Sequence, residues 1–177
     1  DTIENPDEIL WMDDIKAILS GEKEGQVADN RGEDEWNGEY SGYSYHDLAG
    51  HLDGAVWCLQ GDEENGTYFY NVDNTPRTQT ELKDYMESNG VDTSKTVAFY
   101  CGDSWGAAMI AYWCQSVDLN NIKEWGNGWI PWSNEGNEFI DHNGKKVHYD
   151  KYRDAVLDED GNDVSDGTNI LADEKKE

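Results

Sequence analysis

The chain has 177 residues, enough for one ordinary α/β domain with a real core and a short appendage. Its 39 acidic and 13 basic residues give a formal net charge of −26, which argues against nucleic acid and anionic membrane surfaces as partners, since both demand clustered Lys and Arg. Cys58, Cys101 and Cys114 are too few for a disulfide framework and match no zinc spacing, so neither a metal nor any other cofactor is expected.

No apolar run approaches the roughly eighteen residues of a membrane span, and no membrane contact by this fragment is expected. The chain begins at Asp1 and not at Met, which suggests a trimmed or mature piece. Its acidic, Asn-, Gly- and Trp-rich composition favours an extracytoplasmic or cell-surface bacterial protein, with a cytoplasmic location as the alternative.

Residues 1–9 read as a polar lead-in. Trp11, Ile15, Ile18 and Leu19 then recur at helical spacing before Ser20-Gly21 stops the helix. Val27-Ala28 is a short strand running into Asp29-Asn30-Arg31. Residues 34–45 form a surface loop rich in Gly, Tyr and Ser, and Gly50-His51-Leu52-Asp53-Gly54 is a turn that feeds the strand Val56-Trp57. A lone His in such a turn is a structural hydrogen-bonder before it is a base or ligand.

A second irregular loop spans 60–77. Thr78 opens a helix that carries Leu82, Tyr85 and Met86 on one face, and Asn89-Gly90 closes it. Val97 to Tyr100 is a continuous apolar run, the mark of a strand covered on both faces, and it delivers Cys101 into the loop Gly102-Asp103-Ser104-Trp105-Gly106. Asp103 or Ser104 is positioned to cap the helix that follows from Ala107 to Val117. A thiol there faces unpaired backbone N–H groups and the positive end of a helix, surroundings that favour a thiolate nucleophile. The competing reading makes Cys101 a small core hydrophobe, which is the reading for Cys58 and Cys114.

Ile122 to Trp125 is a further strand, followed by an aromatic turn from Gly126 to Trp132. Strands alternating with helices call for an open, mainly parallel sheet with its active site at the carboxyl ends of the strands. Beyond Ser133, Asn143-Gly144 and Asp160-Gly161 mark two β-hairpins. The carboxylates around the second turn lack the glycine and glutamate of an EF-hand and read as solvated turn residues. The expected domains are therefore 1–133, with a core of about 12–133, and a hairpin-bearing extension, 134–177.

Taken in order, these motifs resemble the rhodanese family of sulfurtransferases. Val27-Ala28-Asp29-Asn30-Arg31 is similar to the family's strand ending in Asp-x-Arg, and Gly50-His51-Leu52-Asp53-Gly54-Ala55 to its Gly-His-Ile-x-Gly-Ala turn. Tyr100-Cys101-Gly102 with Ala107-Ala108 resembles its active-site loop, and Trp125 to Ser133 its closing Gly-Gly-Trp-x-x-Trp segment. The resemblance is greatest to the catalytic half of tandem-domain thiosulfate or 3-mercaptopyruvate sulfurtransferases, which implies a second such domain upstream.

The resemblance implies an enzyme in which Cys101 takes sulfane sulfur from thiosulfate or 3-mercaptopyruvate as a persulfide and passes it to a thiophilic acceptor. Gly102, Asp103, Ser104, Trp105, Gly106, Ala107 and Arg31 would bind the substrate. The alternative is a non-catalytic rhodanese-like binding or sulfur-sensing module. Two departures bear on the choice: Gly106 stands where many thiosulfate-using members carry Arg, and no Lys or Arg occurs between Lys95 and Lys123. The related phosphatases need Arg six residues after the cysteine, where this chain has Ala107, so that chemistry is set aside.

Overall fold

The computed structural model describes residues 8–62 and 66–165. Two compact units are each assembled from separated stretches of chain: Asp1–Arg31 with Ala55–Gly128, and Gly32–Gly54 with Trp129–Glu177.

The first unit is built on a five-stranded sheet. Its strands are β1 (Ile9–Leu10), β2 (Gln26–Asp29), β3 (Val56–Trp57), β6 (Val97–Tyr100) and β7 (Ile122–Trp125), in the order β1-β7-β6-β2-β3. Every pairing is parallel, with Asp29 opposite Tyr100 and Phe99 opposite Glu124. The expected open, mainly parallel sheet flanked by helices is thus observed. All four residues of β6, the middle strand, are buried, as its unbroken apolar run demands.

Helices α1 (Met12–Leu19), α3 (Gln79–Ser88) and α4 (Trp105–Gln115) cover this sheet. The Asp14 carboxylate accepts the Trp11 N–H at 3.0 Å and closes the first turn of α1. Thr78 and Glu81 form a reciprocal capping box, the Glu81 carboxylate accepting the Thr78 N–H at 2.9 Å. Leu82 and Met86 of α3 and Ala107, Ile110 and Cys114 of α4 enter one core cluster with Val97, Phe99, Ala28, Cys58 and Ile122. Alternation along β6 leaves Tyr100 outside that cluster, stacked edge-on against Trp125 at 5.3 Å.

Three strands and one helix start here were not anticipated. Ile9–Leu10, at the end of the expected polar lead-in over 1–9, adds to the sheet edge beside β7. Within the loop expected over 60–77, β4 (Gly61–Asp62) and β5 (Gly66–Thr67) pair antiparallel. Helix α4 starts at Trp105 and not at Ala107, because its first turn is built from the loop residues themselves.

In the second unit, β8 (Phe139–Ile140), β9 (Lys146–Asp150) and β10 (Ala155–Asp158) form an antiparallel sheet in the order β10-β9-β8. The Asn143-Gly144 hairpin is the β8–β9 connection. The Asp160-Gly161 turn returns the chain only to the single bridge Leu157–Asp163, since β10 pairs mainly with β9. Asp158 there accepts backbone N–H groups of Asp160 and Asn162, at 3.0 and 2.8 Å, a turn residue satisfying its own loop.

Short helices interrupt two stretches expected to be irregular: α2 (Glu33–Trp36) in the surface loop and α5 (Trp129–Asn134) in the aromatic turn. Trp129 is buried in α5 with its indole N–H donating to the Leu48 carbonyl at 3.0 Å, so an aromatic-rich turn sequence becomes a core helix. His51 stacks on Trp36 with ring centroids 3.7 Å apart, its Nδ1 lies 2.7 Å from the Trp36 carbonyl, and its backbone bridges Ile140. It is a structural residue. His46 is likewise buried, with Nε2 3.0 Å from Ser133 Oγ.

Candidate functional site

The site assembles at the carboxyl end of the parallel sheet in the first unit. Because β2 and β6 are in register with Asp29 opposite Tyr100, the next residue of each strand, Asn30 and Cys101, projects from the same edge. The Asn30 N–H donates to the Tyr100 carbonyl at 3.0 Å, which extends the ladder one step beyond the strands. Cys58 and Gln60 continue the edge on the other side of β2, their N–H groups donating to the Asp29 and Asn30 carbonyls at 2.8 and 3.1 Å.

Cys101 is 8% exposed, whereas Cys58 and Cys114 are fully buried; all three are free thiols. From Cys101 the chain passes through Gly102 and the exposed Asp103 to Ser104, then directly into α4. Ser104 holds φ +76°, a left-handed conformation that disfavours any residue with a Cβ. Its hydroxyl donates to the Trp125 carbonyl on β7, and this bond ties the loop to the sheet in the required geometry. Ser104 is the N-cap residue of α4 by position, but its side chain does not cap the helix; its backbone carbonyl accepts the Ala108 N–H at 2.8 Å. The N–H groups of Trp105, Gly106 and Ala107 belong to the first turn and have no partner within the helix. They form the positive helix end just after Cys101.

A second support comes from Gly128. It has φ +76°, and a Cβ placed there would stand 2.7 Å from the Gly102 carbonyl oxygen and 2.8 Å from that of Cys101. Backbone against backbone leaves no room for a side chain, so Gly128 is required for the loop to lie where it does.

Arg31 is 3% exposed and makes three side-chain hydrogen bonds to Asp29, the shortest from Nη2 at 2.6 Å. Its own backbone N–H donates to the same carboxylate at 2.9 Å, and its guanidinium carbon sits 5.5 Å from the centre of the Tyr100 ring. The pair therefore lies directly under the strand end that presents Cys101. Trp57, next on the edge strand, donates its indole N–H to the Arg31 carbonyl at 2.9 Å.

Of the expected site residues, Gly102 to Ala107 form one continuous loop and first helical turn with Cys101, Ala107 facing the core and Trp105 82% exposed. Arg31 joins them from the adjacent strand end, below the surface. Two neighbours were not anticipated. Asn30 and Gln60 form an amide pair, Asn30 Nδ2 donating to Gln60 Oε1 at 2.8 Å, and a Cβ on Gly106 would fall under 3.0 Å from both atoms. The position of Asn30 within Asp29-Asn30-Arg31 was the available signal; Gln60 lay in a stretch read as irregular.

The other two cysteines show what burial does to the same chemical group. Burial pushes the Cys58 thiol strongly up, with the neighbouring Cys114 adding to it, and burial alone pushes Cys114 up to about 12. Both stay protonated and unreactive at neutral pH. Among the described residues no cluster of His, Cys, Asp and Glu is arranged to hold a metal ion, and no helix is long and apolar enough to cross a membrane.

No curated protein matches the chain. Among solved structures, the anaerobic ergothioneine biosynthesis enzyme from Chlorobium limicola in complex with trimethyl histidine is 28% identical, with a TM-score of 0.65 over 74% of this chain. A variant of EanB in complex with hercynine is 27% identical, with a TM-score of 0.67 over 77% of this chain. Another EanB variant, carrying a cysteine persulfide with ergothioneine, is 26% identical over 75% of this chain, with a TM-score of 0.66. The chain spans about a third of those proteins, 31% and 32% of the first two and 31% of the third. The family described as "Rhodanese-like domain" matches residues 12–135, which include Asp29, Arg31, the whole Cys101 loop and Gly128, and the chain belongs to that family, whose chemistry is sulfur transfer.

Proposed function

We propose that this chain is a sulfurtransferase that carries sulfane sulfur as a persulfide on Cys101. The observation that carries the reading is the placement of Cys101 at the carboxyl edge of the central strand, immediately before the unpaired first-turn amides of α4. The persulfide reported for an EanB variant of similar fold supports it.

The chemistry balances without a cofactor. The Cys101 thiolate attacks the outer sulfur of thiosulfate; the new S–S bond forms as the old one breaks, and sulfite leaves. With 3-mercaptopyruvate the bond that breaks is C–S, and the carbon takes a proton to give pyruvate. The terminal sulfur is held by N–H groups of the Gly102–Ala107 segment, where those of Trp105, Gly106 and Ala107 have no partner within the helix. A thiophilic acceptor then attacks that sulfur and regenerates Cys101. Asp103 and Ser104 shape the loop, Trp105 walls its open side, and Arg31 with Asp29 fixes the strand end beneath. Donor and acceptor are small molecules in this reading, and residues 12–133 are the catalytic domain.

Incubation with thiosulfate, 3-mercaptopyruvate or cysteine persulfide, followed by intact-mass measurement, tests the reading. One added sulfur atom that Cys101→Ala abolishes is the expected result. No adduct from any of the donors would refute it.

A further inference from the structure

We propose that the exposed face of helix α4 is a docking surface for a partner protein that presents an apolar patch bordered by Lys and Arg. The inference goes beyond the sulfur-transfer reading, and its test does not involve Cys101, so each can fail without the other.

The three helices that cover the sheet of the first unit differ in what they turn to solvent. Helix α1 exposes Asp13 and Lys16, and the exposed residues of α3 are all polar, Glu81, Asp84 and Glu87 among them. Helix α4 exposes only Trp105, Met109 and Tyr112, to 82%, 45% and 63%. Their spacing puts all three on one helix face, while Ala107, Ile110 and Cys114 enter the core. No residue of α4 is charged, although charged residues make up 29% of the chain. A single exposed apolar side chain is ordinary, but an uncharged row of three is a patch of the kind that marks a binding surface. Neighbouring rings widen it: Trp113 lies 5.1 Å from Tyr112 and 5.3 Å from Tyr70, centroid to centroid.

Charge selects the occupant. Exposed carboxylates stand at both ends of the helix, Asp103 just before it and Asp118 just after, and no Lys or Arg occurs between Lys95 and Lys123. An apolar centre with an acidic rim is complementary to an apolar centre with a basic one. A second copy of this chain brings its own net charge of −26 and the same acidic rim, so like charges oppose self-association. An anionic membrane surface is repelled in the same way. The position also bears on function, because Trp105 opens α4 directly after the Cys101 loop and a partner seated there lies beside it.

The test measures, by calorimetry, the binding of three short synthetic peptides: one of Leu, Trp and Lys, one with its Lys replaced by Glu, and one with its Leu and Trp replaced by Ser. The wild-type protein is expected to bind the first at least about tenfold more tightly than either of the others, and M109S/Y112S should lose that advantage while keeping a weak attraction for Lys. Both residues are exposed, so the variant should unfold at nearly the wild-type midpoint. A second readout needs no variant: the Leu-Trp-Lys peptide should slow several-fold the oxidation of Met109 by hydrogen peroxide, in which one oxygen passes to the thioether sulfur and water leaves. Equal binding of the Lys and Glu peptides, undiminished binding by M109S/Y112S, or Met109 oxidation indifferent to the peptide would overturn the proposal. So would a dimer in sedimentation that M109S/Y112S abolishes, which makes a second copy the occupant, or binding to phosphatidylcholine vesicles lost in the same variant, which makes it a lipid surface.

Discussion

Cys101 and the pair Cys58 and Cys114 are the same side chain in two regions of one unit, the carboxyl edge of the sheet and the core beneath it. At the edge the thiol is followed by a left-handed Ser104, an unpaired helix start and a glycine, Gly128, pressed against its carbonyl. In the core, Cys58 and Cys114 belong to one buried cluster with Leu82, Ile110 and Val97 and are held protonated by burial. The difference teaches that the surroundings of a thiol here are set by strand-end geometry, and that the cost of that geometry is paid in backbone conformation and buried charge close by.

The contrast can be broken most forcefully at Asp29. Asp29→Ala leaves the Arg31 guanidinium buried without its carboxylate beside Tyr100, and a loss of about 3–5 kcal/mol of stability is expected. Denaturant titration measures it. A loss under 1 kcal/mol would mean that the strand end does not depend on the pair.

Gly128→Ala should come next. It forces a Cβ into a left-handed residue whose nearest neighbours are the carbonyls of Gly102 and Cys101, with an expected cost of roughly 1–3 kcal/mol. Because the strain falls on the loop, Cys101 alkylation rates should change along with stability. A core substitution such as Cys114→Ala should leave that rate as it is.

Alkaline pH sharpens the comparison from the core side. Cys114 is raised from 9.0 to about 12, and Cys58 is raised too, both by burial. A thiol held protonated in the fold contributes stability that is complete below its unfolded value and is lost as pH rises toward the folded one. Stability should therefore fall from about pH 9 toward pH 12, by at most about 1.4 kcal/mol per pH unit for each thiol. Cys114→Ala should flatten part of that slope. An unchanged slope would remove Cys114 from the account.

The smallest effect belongs to Trp105. With 82% of its surface exposed, Trp105→Ala should shift stability by no more than about 0.5 kcal/mol, while its effect on donor loading is read separately as a change in KM.

How much of this was legible in the sequence follows from what each element depends on. Strand β6 was readable because burial on both faces demands an unbroken apolar run, and α3 because Thr78 and Glu81 carry their own capping signal. Cys101 and its loop could be placed from the strand, turn and helix order alone. Strand β1 was not readable, since two residues acquire strand character only by pairing with β7, and α5 was hidden because Gly126 to Trp132 looks like a turn until Trp129 finds the Leu48 carbonyl. The left-handed Ser104 gave no signal either, since serine does not advertise that conformation and its hydroxyl bond reaches Trp125, far along the chain. Asn30 and Gln60 escaped for the same reason: their pairing is a property of adjacent strand ends, and neither residue type announces it.

The central claim, that the edge thiol and not the core thiols holds sulfur, is tested most directly by site-resolved mass spectrometry of the native protein after incubation with cysteine persulfide, with all thiols alkylated before digestion. The account predicts the extra sulfur on the peptide containing Cys101 and none on those containing Cys58 or Cys114. Sulfur on either core cysteine with Cys101 unmodified would contradict it.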